Sequence, residues 1–256
     1  MAVTFPVAAL TRSAGWCVVA LAFAIPLSTA LDNLLLLALL PLMLFGAGRD
    51  VLRAAWHNPV ARAATLLFVA LMLGATYGKA STGDAVDILG KYIDLAFVPL
   101  LMVAGRHSIT RQRAMRVFLG VMLVTALLSW LVGLGILPVF RWMWEVCTPE
   151  NPSVFRGSIT QNVLMAYAAY LLLLLSREAA SSRGRGLLIA AALFTAGDVL
   201  FMVQGKTGYL VLLALLAHFA WQTLVHYLKG RGNRDRRSGR SVYCRVRRYP
   251  SQCGRR

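Results

Sequence analysis

Long apolar runs separated by short polar segments dominate this chain. About eight runs approach the length of roughly 20 residues that a helix needs to cross the hydrocarbon core of a bilayer. We predict helices at about 14–31, 34–48, 62–78, 88–105, 116–137, 160–176, 186–204 and 208–228. The pattern predicts an all-α, polytopic bundle of about eight transmembrane helices, with tight turns at Asp32–Asn33 and at Gln204–Thr207.

Composition supports the membrane interpretation. Only 14% of the 256 residues are charged and 58% are hydrophobic, whereas a soluble domain carries about 25% charged residues. The net charge of +17 would suggest nucleic acid in a soluble protein, but basic loops are the usual topology signal of a membrane protein. We therefore expect membrane lipids, and not nucleic acid, as partners.

The distribution of Lys and Arg predicts the orientation. With the N-terminus inside, thirteen of these residues, counted as far as Arg231, fall in inner segments and five in outer segments or their helix ends. The outer ones are Lys79, Lys91, Arg141, Arg156 and Lys206. The positive-inside rule then places the N-terminus and C-terminus in the cytoplasm. We divide the chain into a transmembrane domain, 1–230, and a basic tail, 231–256.

Metal and nucleotide sites are not expected. The four cysteines contain no CxxC pair, and His218 and His226 have no ligand-like spacing to them. The string Gly205-Lys206-Thr207 resembles the end of a phosphate loop, but that motif needs a glycine where Leu200 stands. We expect no cofactor.

Charges at the outer helix ends are functional candidates, because ionisable groups at membrane depth are expensive. Lys91 and Asp94 are three residues apart, so they share a helix face and form either a structural ion pair or a binding site. Asp198 lies near the end of predicted helix 7. Trp142 and Trp144 in the outer segment 138–159 are interpreted as interface anchors.

Arg156 opens a polar segment that leads into predicted helix 6. Ser158 or Thr160 could cap this helix, and Gln161 and Asn162 would lie in its first turn. Free N–H groups of a helix N-terminus and a guanidinium together favour an anion. Capping does not explain why Arg156, Gln161 and Asn162 gather at one place, so we predict that they bind an anionic substrate.

Lys206 lies in the outer turn between the last two helices, against the positive-inside rule. Gly205 and Gly208 would allow the backbone to approach a partner closely. Two interpretations remain: a cation directed at an anionic head group, or a lysine that extends towards the interface.

At these residues the chain resembles the bacterial O-antigen ligase and polymerase family. The matching segments are FRGSITQNVLMAYAAYLLLLL, QGKTGYLVLLALLA and the Gly-Lys-Tyr at 90–92, within about residues 10–230. The resemblance implies a glycosyltransferase of the inner membrane that moves a glycan from undecaprenyl diphosphate to lipid A–core at the periplasmic face. It implies that Arg156 and Lys206, with Gln161, Asn162 and Lys91, bind the donor.

The end of the chain departs from the family pattern, in which a large periplasmic loop with the proposed histidine base follows helix 8. The catalytic base is therefore unknown. After about residue 231 the sequence changes abruptly to arginine-rich, and we hypothesise that it is frameshifted and the ligase truncated and inactive. The alternatives are a genuine tail that binds anionic lipids, an O-antigen polymerase, a transporter, or a non-catalytic membrane protein.

Overall fold

The computed structural model describes the backbone of residues 7–78, 82–139 and 147–246, and the side chains of residues 10–78, 83–139 and 147–228. These parts are helical, apart from turns and one isolated bridge between Thr148 and Asn151. The helices are α1 (Val7–Ala24), α2 (Thr29–His57), α3 (Pro59–Tyr77), α4 (Thr82–Lys91), α5 (Asp94–Ala104), α6 (Ser108–Gly133), α7 (Ser158–Glu178), α8 (Ser182–Gly197) and α9 (Lys206–Val246). A π-helix, Asp198–Met202, extends α8.

Six helical segments of the described chain are long and apolar enough to cross a membrane. They are α2, α3, α6, α7, α8 with its π-helix, and the part of α9 that ends at Leu228. Large apolar side chains such as Phe45, Leu193 and Phe201 are exposed on them, which suits lipid rather than water. The prediction of an all-α membrane protein is confirmed, but the count of eight spans is not.

Three predicted spans have a different form in the structure. The apolar part of α1, Leu10–Ala24, is short for a crossing. Predicted helix 4 is divided into α4 and α5 by a turn at Tyr92–Ile93. Predicted helix 8 continues beyond residue 228, since α9 remains helical as far as Val246.

The predicted turn at Asp32–Asn33 is wrong. The chain turns earlier, after Ala24, and Pro26 lies in this turn, where its missing N–H group breaks the helical bonding. The hydroxyl of Ser28 then caps α2 by accepting a hydrogen bond from the N–H of Leu31 at 3.4 Å. Asp32 and Asn33 therefore lie near the start of α2, where an acidic side chain interacts favourably with the positive end of the helix dipole.

Two groups of helices pack around separate apolar cores. In the first, α1, α2 and α5 bury Ala14, Leu39, Met43, Leu100, Val103 and Ala104. In the second, α6, α7, α8, the π-helix and α9 bury residues that include Met122, Met165, Leu172, Val199 and Leu212. Buried alanines on α7 let its neighbours approach closely.

Polar contacts mark the two ends of the bundle. At one end, Arg156 before α7 pairs with Asp32 in the first turn of α2. At the other, Arg106 between α5 and α6 donates to Asp50 of α2 at 2.6 Å. We call these the Arg156 end and the Arg106 end.

Candidate functional site

Arg156 forms the central ion pair of the Arg156 end. Its Nη2 donates to the Oδ2 of Asp32, and the two side chains are only 11% and 15% exposed. Its Nε is buried without a partner among the described residues. Asp94, the first residue of α5, lies close enough to interact with the charges of both Asp32 and Arg156. The starts of three helices therefore converge here.

The first turn of α7 follows Arg156 directly and has no side-chain cap. Gly157 is the N-cap residue and offers no acceptor. The predicted caps are wrong, because Ser158 is already the first helical residue and Thr160 lies within the first turn. The first N–H groups of α7 therefore lack a side-chain acceptor, which leaves the positive end of the helix dipole uncompensated by a cap.

Gln161 holds the loop that precedes α7. Its Oε1 accepts a hydrogen bond from the N–H of Val154 at 2.8 Å, and its Nε2 donates to the carbonyl of Pro152 at 3.3 Å. Gln161 is 2% exposed. In this structure its two polar atoms fix the backbone that carries Arg156, and the direct binding role stays a prediction.

Asn162 fastens the start of α9 to the start of α7. Its Nδ2 donates to the carbonyl oxygens of Val203 at 2.8 Å and Gly205 at 3.4 Å. A Cβ atom added to Gly208 would lie 2.6 Å from the Cβ of Asn162, and one added to Gly205 would lie 2.6 Å from its Nδ2. The close approach expected at these glycines exists, and its partner is Asn162 of the same chain.

Lys206 is the first residue of α9, beside this contact. It is exposed and forms no hydrogen bond or ion pair with a described residue. Two residues before Lys206, Gln204 donates its backbone N–H to the Oδ1 of Asn151 at 3.1 Å. This bond attaches the 148–151 turn to the start of α9. The bond from Asn162 to Gly205 thus brings Lys206 to the same end of the bundle as Arg156.

A fully buried carboxylate lies at the end of α8. Asp198 is 0% exposed and begins the π-helix. Ser129 and Gln161 are near enough to act on its charge, but neither carboxylate oxygen has a hydrogen bond of acceptable geometry with a described residue. The Oγ of Ser129 and of Ser153 and the Nε1 of Trp130 are also buried with no partner in the described part of the chain. Such local π-helices frequently occur at functional sites.

Lys91 is not among the residues that contact one another at the Arg156 end. It ends α4, is exposed, and forms no ion pair or hydrogen bond with a described residue. The prediction that Lys91 and Asp94 share a helix face and pair is wrong, because the turn at Tyr92–Ile93 separates them and they are not within 4.0 Å.

Several predicted residues lie outside the described part of the chain. These are Lys79, Arg141, Trp142, Trp144, Glu145 and the side chains of the basic tail. His218 is described and bonds the hydroxyl of Tyr170 at 3.1 Å and the amide of Gln222 at 3.2 Å, which gives it a packing role between α7 and α9.

Sequence reasoning missed two partners at this site. The sequence predicts Asp32 only as part of a turn, and its pairing with Arg156 spans 124 residues. Asn151 was not singled out. The one sequence signal for this pairing is that Asp32 and Arg156 both lie on the predicted outer side of the membrane.

The arrangement can bind an anion at two helix starts, where Arg156 and Lys206 supply charge and the first N–H groups of α7, which no side chain caps, supply donors. Within the described residues, no group of three or more His, Cys, Asp or Glu side chains could hold a metal ion. Comparison with protein-family models, with curated proteins and with solved structures finds no match to this chain.

Proposed function

We propose that this chain is an O-antigen ligase-like glycosyltransferase that, in contrast to the truncation hypothesis above, is active and moves a glycan from undecaprenyl diphosphate to lipid A–core in lipopolysaccharide biosynthesis. The observation that carries the proposal is the attachment of the α9 start to the α7 start by Asn162. This contact puts Arg156 and Lys206, the two cations that the family resemblance selects, at one end of the bundle.

The diphosphate is the part of the donor that this end of the bundle suits. As the glycan leaves, negative charge grows on the diphosphate, and fixed cations and N–H dipoles stabilise it. Lys206 is exposed and unpaired with described residues, so it is available to the outer phosphate. The Nε of Arg156 is buried without a partner among the described residues, so it can donate to a phosphate only after the surrounding side chains move.

Asp32 limits the affinity of this site. A carboxylate bound to Arg156 competes with phosphate for the same guanidinium, so tight binding requires the ion pair to shift or to share its donors. Gln161 and Asn162 act in this proposal as positioning residues, since their described bonds fix the backbone on both sides of the site.

The proposed location is the bacterial inner membrane, with the Arg156 end in the periplasm. The excess of Lys and Arg in the predicted inner segments supports this orientation. No residue is assigned as the base that deprotonates the acceptor hydroxyl.

Deletion of the gene in its own bacterium tests the function. The ligase proposal predicts lipopolysaccharide without O antigen, while carrier-linked polymer accumulates. A wild-type plasmid copy should restore the O-antigen ladder on a lipopolysaccharide gel, whereas an Arg156→Ala copy should not restore it. An Arg185→Ala copy removes an exposed arginine at the start of α8 and should restore the ladder. A core that carries one repeat would indicate the polymerase instead, and an unchanged ladder would refute both.

A further inference from the structure

A basic cavity lies at the Arg106 end, away from the site described above. It has a volume of about 560 Å³ and lies between the first half of α1 and the start of α6. Its polar lining includes Arg12, His107 and Arg113, and its apolar lining includes Trp16, Val19 and Ile109.

The two arginines of this cavity lack acidic partners. No described carboxylate lies within 4.0 Å of Arg12 or Arg113, although Arg106 close by is paired with Asp50. The guanidinium of Arg113 instead faces the ring of Trp16, with its carbon 5.5 Å from the ring centroid. None of the described residues that line the cavity is a carboxylate, so their positive charge is available to an anion.

The apolar wall of the cavity faces outward. Trp16 is 59% exposed and Ile109 is 62% exposed, and both belong to helices packed against each other at Gly15 and Thr110. In a membrane these side chains meet acyl chains, and a tryptophan prefers the head-group level. A ligand of the cavity would therefore combine an anionic group with an apolar body.

We propose that this cavity binds the phosphate group of an anionic phospholipid. Arg12 and Arg113 hold the phosphate, Thr110 lines the cavity beside them, and the acyl chains lie along Trp16 and Val19. Guanidinium groups suit a phosphate because they donate two parallel hydrogen bonds. Basic pockets between transmembrane helices are recognised sites for such head groups.

Topology alone does not account for this site. The positive-inside rule explains the sign of the charge at this end, but it requires neither a cavity nor arginines gathered around one. Arg111, two residues from Arg113 on the same helix, is exposed and does not line the cavity, so it supplies a matched control.

Native mass spectrometry of the full-length protein from nanodiscs tests the proposal with phosphatidylglycerol and phosphatidylcholine as probes. Wild-type protein should retain phosphatidylglycerol preferentially. The Arg12→Gln/Arg113→Gln variant should bind it roughly thirtyfold more weakly, since each cation contributes about 1 kcal/mol and 1.4 kcal/mol is tenfold. The Arg111→Gln/Arg183→Gln variant removes the same charge elsewhere and should keep most of the affinity.

Equal losses in the two double variants, with both proteins folded by size-exclusion chromatography and circular dichroism, would overturn the proposal, because general charge would then explain the binding. Displacement of the lipid by glycerol 3-phosphate or inorganic phosphate at similar concentrations would overturn the lipid assignment and indicate a soluble phosphate ligand. Resistance to both soluble probes supports the lipid.

Discussion

Asp198 is the residue whose environment is hardest to explain by stability alone. Burial of a carboxylate is unfavourable unless polar groups replace the lost water, and the nearby Ser129 and Gln161 form no hydrogen bond of good geometry with Asp198. Residues of this kind in membrane helices are functional hypotheses by default. Its proximity to Gln161, which holds the loop before α7, connects it to the proposed donor site.

Replacement of Asp198 by asparagine should separate function from stability. Asp198→Asn removes a buried acid at nearly constant volume, so we expect unchanged or slightly higher stability, by up to about 1 kcal/mol, together with loss of the O-antigen ladder. Thermal unfolding in detergent and a lipopolysaccharide gel measure the two effects.

The matched control is Thr195→Val, one turn earlier on α8, where Thr195 is also fully buried but bonds the carbonyls of Ala191 and Ala192. This variant should keep the ladder. A strongly destabilised Asp198→Asn protein that still makes the ladder would show that Asp198 is a structural residue.

At the scale of helices, the contact between the α7 start and the α9 start organises the candidate site. Asn162 approaches the backbone of α9 because Gly205 and Gly208 have no side chains there. The Nδ2 of Asn162 donates a hydrogen bond to the carbonyl oxygen of Val203, the residue that follows the π-helix. This small region therefore depends on two glycines and one amide.

An alanine at Gly208 should disrupt that contact. The added Cβ would lie 2.6 Å from the Cβ of Asn162, which is backbone-linked and cannot rotate away. We expect Gly208→Ala to destabilise the protein by about 1–3 kcal/mol, measured by thermal unfolding in detergent.

Gly120→Ala, in the interior of α6, is the control because nothing lies within 4 Å of its added Cβ. It should be neutral or stabilising by up to about 1 kcal/mol. If the two variants unfold at the same temperature, α9 does not pack on Asn162 as described.

Local rules predicted the helices well but their ends poorly. The spacing of apolar residues identified α7 and α3 to within a few residues, since both are bounded by clear polar segments. It misplaced the first turn, because polar residues at Asp32–Asn33 begin a helix as readily as they interrupt one. The pairing of Asp32 with Arg156 could not be derived locally, since it depends on how α2 and α7 pack.

For the whole molecule, the distribution of charge predicts which end faces the cytoplasm. The Arg106 end contains Arg12, Arg106 and Arg113, and the Arg156 end contains the pair of Arg156 with Asp32. The positive-inside rule then places the Arg106 end inside. Both proposals depend on this orientation, because it places the donor site and the lipid cavity on opposite sides of the membrane.

Cysteine labelling in intact cells tests this topology. In a cysteine-free variant, Asp87→Cys on α4 should react with a membrane-impermeant maleimide, whereas Arg111→Cys should react only after permeabilisation, because both positions are exposed but lie towards opposite ends. The native Cys147 must be removed even though burial raises the pKa of its thiol and slows its reaction. The reverse labelling pattern would invert the assignment of both faces.

The measurement that tests the central claim most directly is the affinity of the purified full-length protein in nanodiscs for undecaprenyl diphosphate. Arg156→Gln and Lys206→Gln should each weaken binding by roughly tenfold or more, because a charge-assisted hydrogen bond contributes about 1.5–3 kcal/mol. Arg185→Gln should bind as wild type does. Asp32→Asn should bind more tightly, since it releases the guanidinium of Arg156.

The Asp32→Asn/Arg156→Gln variant controls for folding, because it removes both charges of the buried pair together. It should remain folded and bind as weakly as Arg156→Gln. If folded Arg156→Gln and Lys206→Gln proteins bind undecaprenyl diphosphate as tightly as wild type, the Arg156 end is not a donor site and the proposed ligase function loses its structural basis.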